Sequence, residues 1–460
     1  MAGKSSQSNN RGTDLFGYFV SGKFKEYHTN QFAGIAAPSG LTATGGVISD
    51  YTSGSDVYRA HVFTSSGTFG VTEIGSLGAN IDYLVVAGGG SGSPSTSGSL
   101  YSASGGGGAG GLRTSLPGIM PATSSQVPVA VASYNVVIGS GGAVSSSAQG
   151  NPGTDTSLAY NGGTITSNGG GGGGETQQSG LTGGSGGGQG GNNHASSRTG
   201  GAANPNSDPT RQGYPGTNLA TGDNDGSGGG GGGAGGTTPY VSPTRSGVAG
   251  GAGVQVAIAG PTATTFTGVG AKNPANNQYQ YFAGGGGGGG YDGSPTGVGG
   301  VGGGGRGESP PAPTPAEGSG QQSTGGGGGG ARGNATSIGS GSGGSGIVVV
   351  RYKIAQLTAT AKATGGAISY YGGKTIHAFT SSGTFTVTNG PLATETLVIA
   401  GGGGGAKERQ AGGGGGGGAV HHTSLTLADS TPYAIVVGGG AIGGRNATLG
   451  QAGTPSTITG

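Results

Sequence analysis

Leu84-Val-Val-Ala-Gly-Gly-Gly90 runs a short β-branched segment straight into glycine, and the same junction returns as Leu397-Val-Ile-Ala-Gly-Gly-Gly403. A brief apolar run bounded by glycine suits a buried strand. It does not suit a helix, where each interior glycine costs roughly 1 kcal/mol. The flanking blocks repeat as well. Ala43-Thr-Gly-Gly-Val-Ile-Ser-Asp-Tyr51 recurs as Ala363-Thr-Gly-Gly-Ala-Ile-Ser-Tyr-Tyr371, and Phe63-Thr-Ser-Ser-Gly-Thr-Phe69 as Phe379-Thr-Ser-Ser-Gly-Thr-Phe385. Further on, Tyr134-Asn-Val-Val-Ile138 matches Tyr433-Ala-Ile-Val-Val437, and Thr164-Ile-Thr166 matches Thr457-Ile-Thr459. Block order holds while spacing shrinks, so the chain is an internal duplication whose copies differ in loop length.

The matched blocks predict an all-β protein of short-strand, sandwich-like modules with essentially no α-helix. His61-Val-Phe63 and Thr68-Phe-Gly-Val-Thr72 flank Ser65-Ser-Gly67, which reads as a β-hairpin. Ile347-Val-Val-Val-Arg-Tyr352 is the strand that closes the first copy, with a linker near Lys353-Ile-Ala-Gln356. The expected organisation is an N-terminal segment at 1–40, a first module at 41–355 and a second copy at 356–460. Thr457-Ile-Thr-Gly460 aligns with Thr164-Ile-Thr-Ser167, so the second copy has no counterpart of 168–352. That predicts either a longer product or a shortened second copy.

Uninterrupted glycines fill 169–174, 228–233, 284–290, 325–330 and 412–418, with a shorter run at 401–405. One reading is flexible linker. The near-uniform run length favours another, a bundle of polyglycine-II helices with three residues per turn and a rise of ~3.1 Å. Such a helix makes no internal hydrogen bonds, so its backbone groups must pair with neighbouring helices, and only glycine lets those backbones approach closely enough. Each bond contributes ~1 kcal/mol net against ~1–2 kcal/mol to fix a residue. Flanking strands must therefore hold the run ends in register. Gly171, Gly230, Gly287, Gly327 and Gly415 represent the expected bundle.

Composition excludes more than it assigns. Glycine supplies 123 of 460 residues and cysteine none, which removes disulfides and thiolate zinc sites. The net charge of +2 is negligible on this length, so neither nucleic acid nor membrane insertion is an expected partner. Residues 1–10 carry no apolar signal-peptide core. Gly366-Ala-Ile-Ser-Tyr-Tyr-Gly-Gly-Lys-Thr375 imitates a phosphate-binding loop, yet the position five before Gly373 is Ile368 rather than glycine. His421 and His422 are adjacent and would face opposite sides of a strand. Asp223-Asn-Asp-Gly226 lacks calcium-loop spacing and reads as a turn. No catalytic, cofactor or metal constellation is expected, and the chain reads as non-enzymatic.

The series Phe63–Phe69, Tyr83–Gly90, Gly105-Gly-Gly-Gly-Ala-Gly-Gly-Leu-Arg-Thr-Ser115 and Gly343-Gly-Ser-Gly-Ile-Val-Val-Val-Arg-Tyr352 resembles the glycine-rich module of marine bacteriophage tail-fibre and other virion proteins. The resemblance implies a passive place on the virion exterior, contact with other virion proteins, a trimer as the favoured homo-oligomer, and contact with a host-cell surface receptor. Assembly would take place in the host cytoplasm. A head fibre or decoration protein, or a bacterial surface adhesin or filament subunit, remains an alternative. Residues 1–40 stand outside the module. Their aromatic and apolar cluster of Leu15, Phe16, Tyr18, Phe19, Phe24 and Tyr27 reads either as a virion-docking segment or as a cap on the first module. Tyr214, Tyr240 and Tyr291 lie among loops between glycine runs. There they serve either host contact or packing over exposed glycine backbone.

Overall fold

The central strand of the first copy decides how everything else is layered. Ile347–Gln356 carries an unbroken apolar run because both of its faces are covered. Val348, Val350 and Tyr352 point one way, and Ile347 and Val349 the other, all fully or almost fully buried. The computed structural model describes residues 39–95, 103–119, 125–146, 149–191, 198–205, 210–219, 226–240, 245–262, 269–291, 294–308, 318–332, 340–356, 362–371, 374–406, 412–442 and 451–460.

In chain order the first copy supplies β1 (Thr42–Thr44), β2 (Val47–Ser53), β3 (Asp56–Phe63), β4 (Gly67–Glu73), β5 (Asn80–Val86), β6 (Leu112–Thr114) and β7 (Val127–Pro128). It continues with β8 (Ala132–Val137), β9 (Thr156–Tyr160), β10 (Gly163–Ser167), β11 (Val254–Gln255), β12 (Tyr281–Phe282) and β13 (Ile347–Gln356). These make one sheet of order β1-β4-β8-β9-β10 and a second of order β2-β3-β13-β5-β6, all antiparallel. The fold is all-β, and no α-helix is built from the described residues.

Two apolar cores follow from strand alternation. Between the sheets, Phe63, Tyr83, Val85, Val348 and Val350 meet Phe69, Val71, Tyr134, Val136, Leu158 and Ile165. On the far face of the β13 sheet, Ala60, Val62, Leu84, Val86, Leu112, Ile347 and Val349 pack against Ala109, Ala234, Val256, Ile258 and Phe282. The second group belongs to segments that continue into glycine. The sandwich therefore rests directly on the glycine bundle.

Two sequence expectations are corrected here. Residues 64–66 do not turn a hairpin, because β3 pairs with β2 and β13 while β4 pairs with β1 and β8. The link crosses between layers, since both edges of β3 are already occupied. Residues 353–356 are not a linker either. They extend β13 along β3 past a register shift, with Lys353 paired to Asp56 at 2.6 Å.

The second copy repeats the plan in part. It contains β14 (Ala363–Thr364), β15 (Ala367–Tyr371), β16 (Lys374–Ala378), β17 (Gly383–Val387), β18 (Leu392–Ile399), β19 (Ala419–Leu427), β20 (Pro432–Val436) and β21 (Thr457–Thr459). One sheet runs β14-β17-β20-β21, and two separate pairs are β15-β16 and β18-β19. Its core is small, centred on Phe385, Val387, Leu427 and Tyr433.

Candidate functional site

The glycine runs of the first copy pack as a hexagonal array. Around Gly284–Gly290 the N–H groups of Gly284 and Gly287 donate to Gly302 and Gly305. Those of Gly285 and Gly288 go to Gly251 and Val248, and those of Gly286 and Gly289 to Gly107 and Ser104. The carbonyls follow the same period of three. Gly284 and Gly287 accept from Gly327 and Gly330, Gly285 and Gly288 from Gly300 and Gly297, and Gly286 and Gly289 from Gly231 and Gly228. Six different segments thus surround one run, three taking its donors and three its acceptors, all at 2.8–3.1 Å. This is what three residues per turn requires of a helix with no internal bonds. Residues 104–111 repeat the pattern, with donors directed in rotation to 325–331, 168–174 and 229–232.

The expected bundle glycines take unequal positions. Gly171, Gly230, Gly287 and Gly327 are buried, and a Cβ added to any of them would fall under 3.0 Å from a carbonyl oxygen, of Leu181, Ala249, Gly297 and Gly107 respectively. Gly415 is exposed, and a Cβ there would meet nothing within 4 Å. In its copy, Ala400, Gly403 and Ala406 donate to Gly418, Gly415 and Gly412, again in steps of three. That run is bonded on one side and open on the others among the described residues.

One end of the bundle adjoins the sheets, where Ala87, Gly111, Ala283 and Gly346 meet strands. The other end meets no strand among the described residues. Its level is set by the bonds Ala331 to Ser93, Ser104 to Ala331, Gly289 to Ser104, Gly228 to Gly289 and Glu308 to Gly330. Tyr291 stands at this end with the Arg245 guanidinium 4.9 Å over its ring, and its N–H donates to the Arg245 carbonyl. Tyr214, under Arg211 at 4.6 Å, donates instead to Gly233, beside the sheets. The run between these levels is roughly 19 Å long at the polyglycine-II rise, so Tyr214 and Tyr291 do not form one patch. All three tyrosines, Tyr240 included, are half-buried. Leu15, Phe16, Tyr18, Phe19, Phe24 and Tyr27 lie outside the described residues, as do Asp223 and Asp225.

At the same end as Tyr291, Glu308 is buried, and its Oε2 has no hydrogen-bond partner among the described residues. Burial pushes its carboxyl up to about 7, against the pull of Arg332. The folded chain then keeps a proton that the unfolded chain sheds near pH 4.5. Stability should therefore fall as pH rises from that value through about 7. Glu308→Gln should abolish a loss on the order of 1–2 kcal/mol, discounted for solvent screening. Parallel urea titrations of parent and variant at acid and alkaline pH measure the difference.

Sequence reading passed over two sets of buried polar residues on opposite faces of the β13 sheet, one around Arg351 towards the bundle and one around His61 between the sheets. Arg351 on β13 donates to Asp82 on β5 through Nη2 at 2.6 Å and Nε at 3.1 Å, and to the Tyr51 hydroxyl at 3.1 Å, with its guanidinium 4.5 Å over Tyr58. His61 is wholly buried between the Gly45 carbonyl and the Tyr352 hydroxyl, at 2.6 and 2.9 Å. Burial lowers its pKa, so it stays neutral. On β19, His421 meets Glu395 at 3.1 Å. No group of metal-ligating side chains is assembled among the described residues.

An antiparallel sandwich whose strands feed a hexagonal polyglycine array defines a glycine-rich β protein. The chain belongs to the glycine-rich domain family, which it matches over residues 64–353 and again over 379–460. A search of curated proteins finds no match.

Proposed function

We propose that this chain is a non-enzymatic structural protein of a bacteriophage virion, a tail fibre or appendage held by its N-terminal segment and assembled as a trimer. The glycine array carries the reading. Its backbone groups are satisfied by one another, and its side chains are nearly absent. Such a body suits a rigid mount for surface loops better than a reaction vessel. The resemblance to marine phage virion modules adds the virion to that picture. Host contact is assigned to the end away from the sheets around Tyr291, with Tyr240 and Tyr214 as further loop aromatics. On this reading the mature protein is outside the cell on the released particle.

Immunogold labelling of particles from the virus whose genome encodes the chain tests this, together with sedimentation of the purified protein. Label on tail or appendage and a trimer mass are expected. Label confined to a bacterial surface, or a monomer at micromolar concentration, overturns the virion or the trimer reading respectively.

A further inference from the structure

An open recess of about 290 Å³ lies where the first copy crosses between its two sheets, walled by Gly45–Val47 and Val62–Thr68. The Phe63 ring packs against Gly45, Gly46 and Gly67, and Val47 is a largely exposed apolar residue at its side. Eight of the ten lining residues are identical in the second copy, and the other two, Val47 and Val62, become Ala367 and Ala378. The exposed connection that follows, at 73–80, is kept far less well and is shortened and altered after Thr388.

Most of this identity has a structural cause. Gly45 and Gly46 hold positive φ of 102° and 63°, as Gly365 and Gly366 hold 110° and 66°. Ser66 Oγ accepts from the Ile138 N–H at 2.9 Å, and Ser382 Oγ from the Val437 N–H at 3.0 Å. Gly67 and Gly383 lie against the Phe63 and Phe379 rings. Thr64, Ser65 and Thr68 have no such cause. They are exposed and their hydroxyls make no hydrogen bond among the described residues, and the same holds for Thr380, Ser381 and Thr384. Strand propensity would accept valine, isoleucine or tyrosine at Thr68 equally well. Hydroxyls kept in duplicate around a recess, and unused inside the fold, are free for a ligand outside it.

The lining narrows the chemistry of that ligand. No ionisable side chain borders the recess, so neither an anion nor a cation would meet a counter-charge there. Each hydroxyl can donate and accept, which matches a ring bearing several hydroxyls of its own. Val47 and the threonine methyls offer an apolar strip to the C–H face of such a ring. The volume stands at the lower end for ligand sites and suits one small ring. We propose that the recess bounded by Thr64, Ser65 and Thr68 binds a single ring of a neutral carbohydrate. Thr380, Ser381 and Thr384 then form a second site of the same kind. Virion location is not required for either.

Saturation-transfer NMR on the intact 460-residue chain tests this. The probes are the methyl glycosides of glucose, galactose, mannose, fucose and N-acetylglucosamine, with N-acetylneuraminic acid as an anionic comparison. At least one neutral glycoside should receive saturation, and the acid none. Thr64→Val with Thr68→Val should remove about half of that signal, and so should Thr380→Val with Thr384→Val. All four changes together should weaken binding about tenfold or more, two hydroxyls being lost from each recess. Urea midpoints should stay with the parent, because these exposed side chains bond nothing in the fold. Silence from every neutral glycoside overturns the proposal, as does a signal that survives all four changes. Equal transfer to N-acetylneuraminic acid also overturns it, since the recess would then not select neutral rings.

Discussion

Gly287→Val should destabilise the protein by on the order of 3–5 kcal/mol, while Gly415→Ala should be near neutral. Gly287 sits within the six-neighbour array, its N–H on Gly305 and its carbonyl taken by Gly330. The new Cβ would be directed at the Gly297 carbonyl oxygen, closer than any real Cβ comes to another atom. That oxygen is fixed backbone, so a whole neighbouring helix must shift, and the bonds it makes elsewhere shift with it. Gly415 meets no atom in its Cβ direction. Alanine there removes freedom from the unfolded chain at little native cost. Urea unfolding of the two variants beside the parent reads the contrast. Equal midpoints for Gly287→Val and the parent would mean that the runs do not pack.

Asp82→Ala should cost about 3–5 kcal/mol, because it leaves the Arg351 charge buried without the carboxylate oxygen, Oδ2, that takes two of its N–H donors. The pair is nearly shielded from solvent, with side-chain exposures of 13% for arginine and 7% for aspartate. Asp82 also accepts from the Ser115 hydroxyl at 2.9 Å, so a second group loses its partner. The Tyr51 hydroxyl and the Tyr58 ring remain to the arginine, but neither is an anion. Arg351→Met combined with Asp82→Ala should be less damaging than Asp82→Ala alone, since the double change removes both charges. If the single and double variants melt together in urea, the pair is not coupled.

Much of this was legible in the chain, and the remainder has identifiable causes. Strand blocks were readable because β-branched runs stop at glycine, as at Leu84–Gly90 and Gly346–Tyr352. The order of those strands was not. Ser65-Ser-Gly67 has the composition of a hairpin turn, yet β13, nearly three hundred residues later, takes the edge of β3 that a hairpin would use. Local sequence cannot register a competitor that distant. The array was foreseeable from run length and the needs of unpaired backbone. Which run touches which was not, since identical glycines carry no partner information and register is imposed by the strands at their ends. The Arg351–Asp82 pair had a signal that was missed. Each residue is a lone charge inside an apolar strand run, Val-Val-Arg-Tyr in one and Ile-Asp-Tyr-Leu in the other. Opposite charges in two such runs ask for each other. Tyr291 lies at the end away from the sheets, and Tyr214 lies beside them. Loop composition says nothing about which end of a bundle a loop occupies.

The three-step rotation of donors around each run also sets a reading frame for length change. Gly284, Gly285 and Gly286 address three different neighbours, and Gly287 returns to the first. Adding or deleting one residue within a run turns every later donor by about a third of a revolution, towards a neighbour already supplied. Adding three preserves the phase and lengthens the run by one turn. Length changes inside the bundle are therefore tolerated only in whole turns.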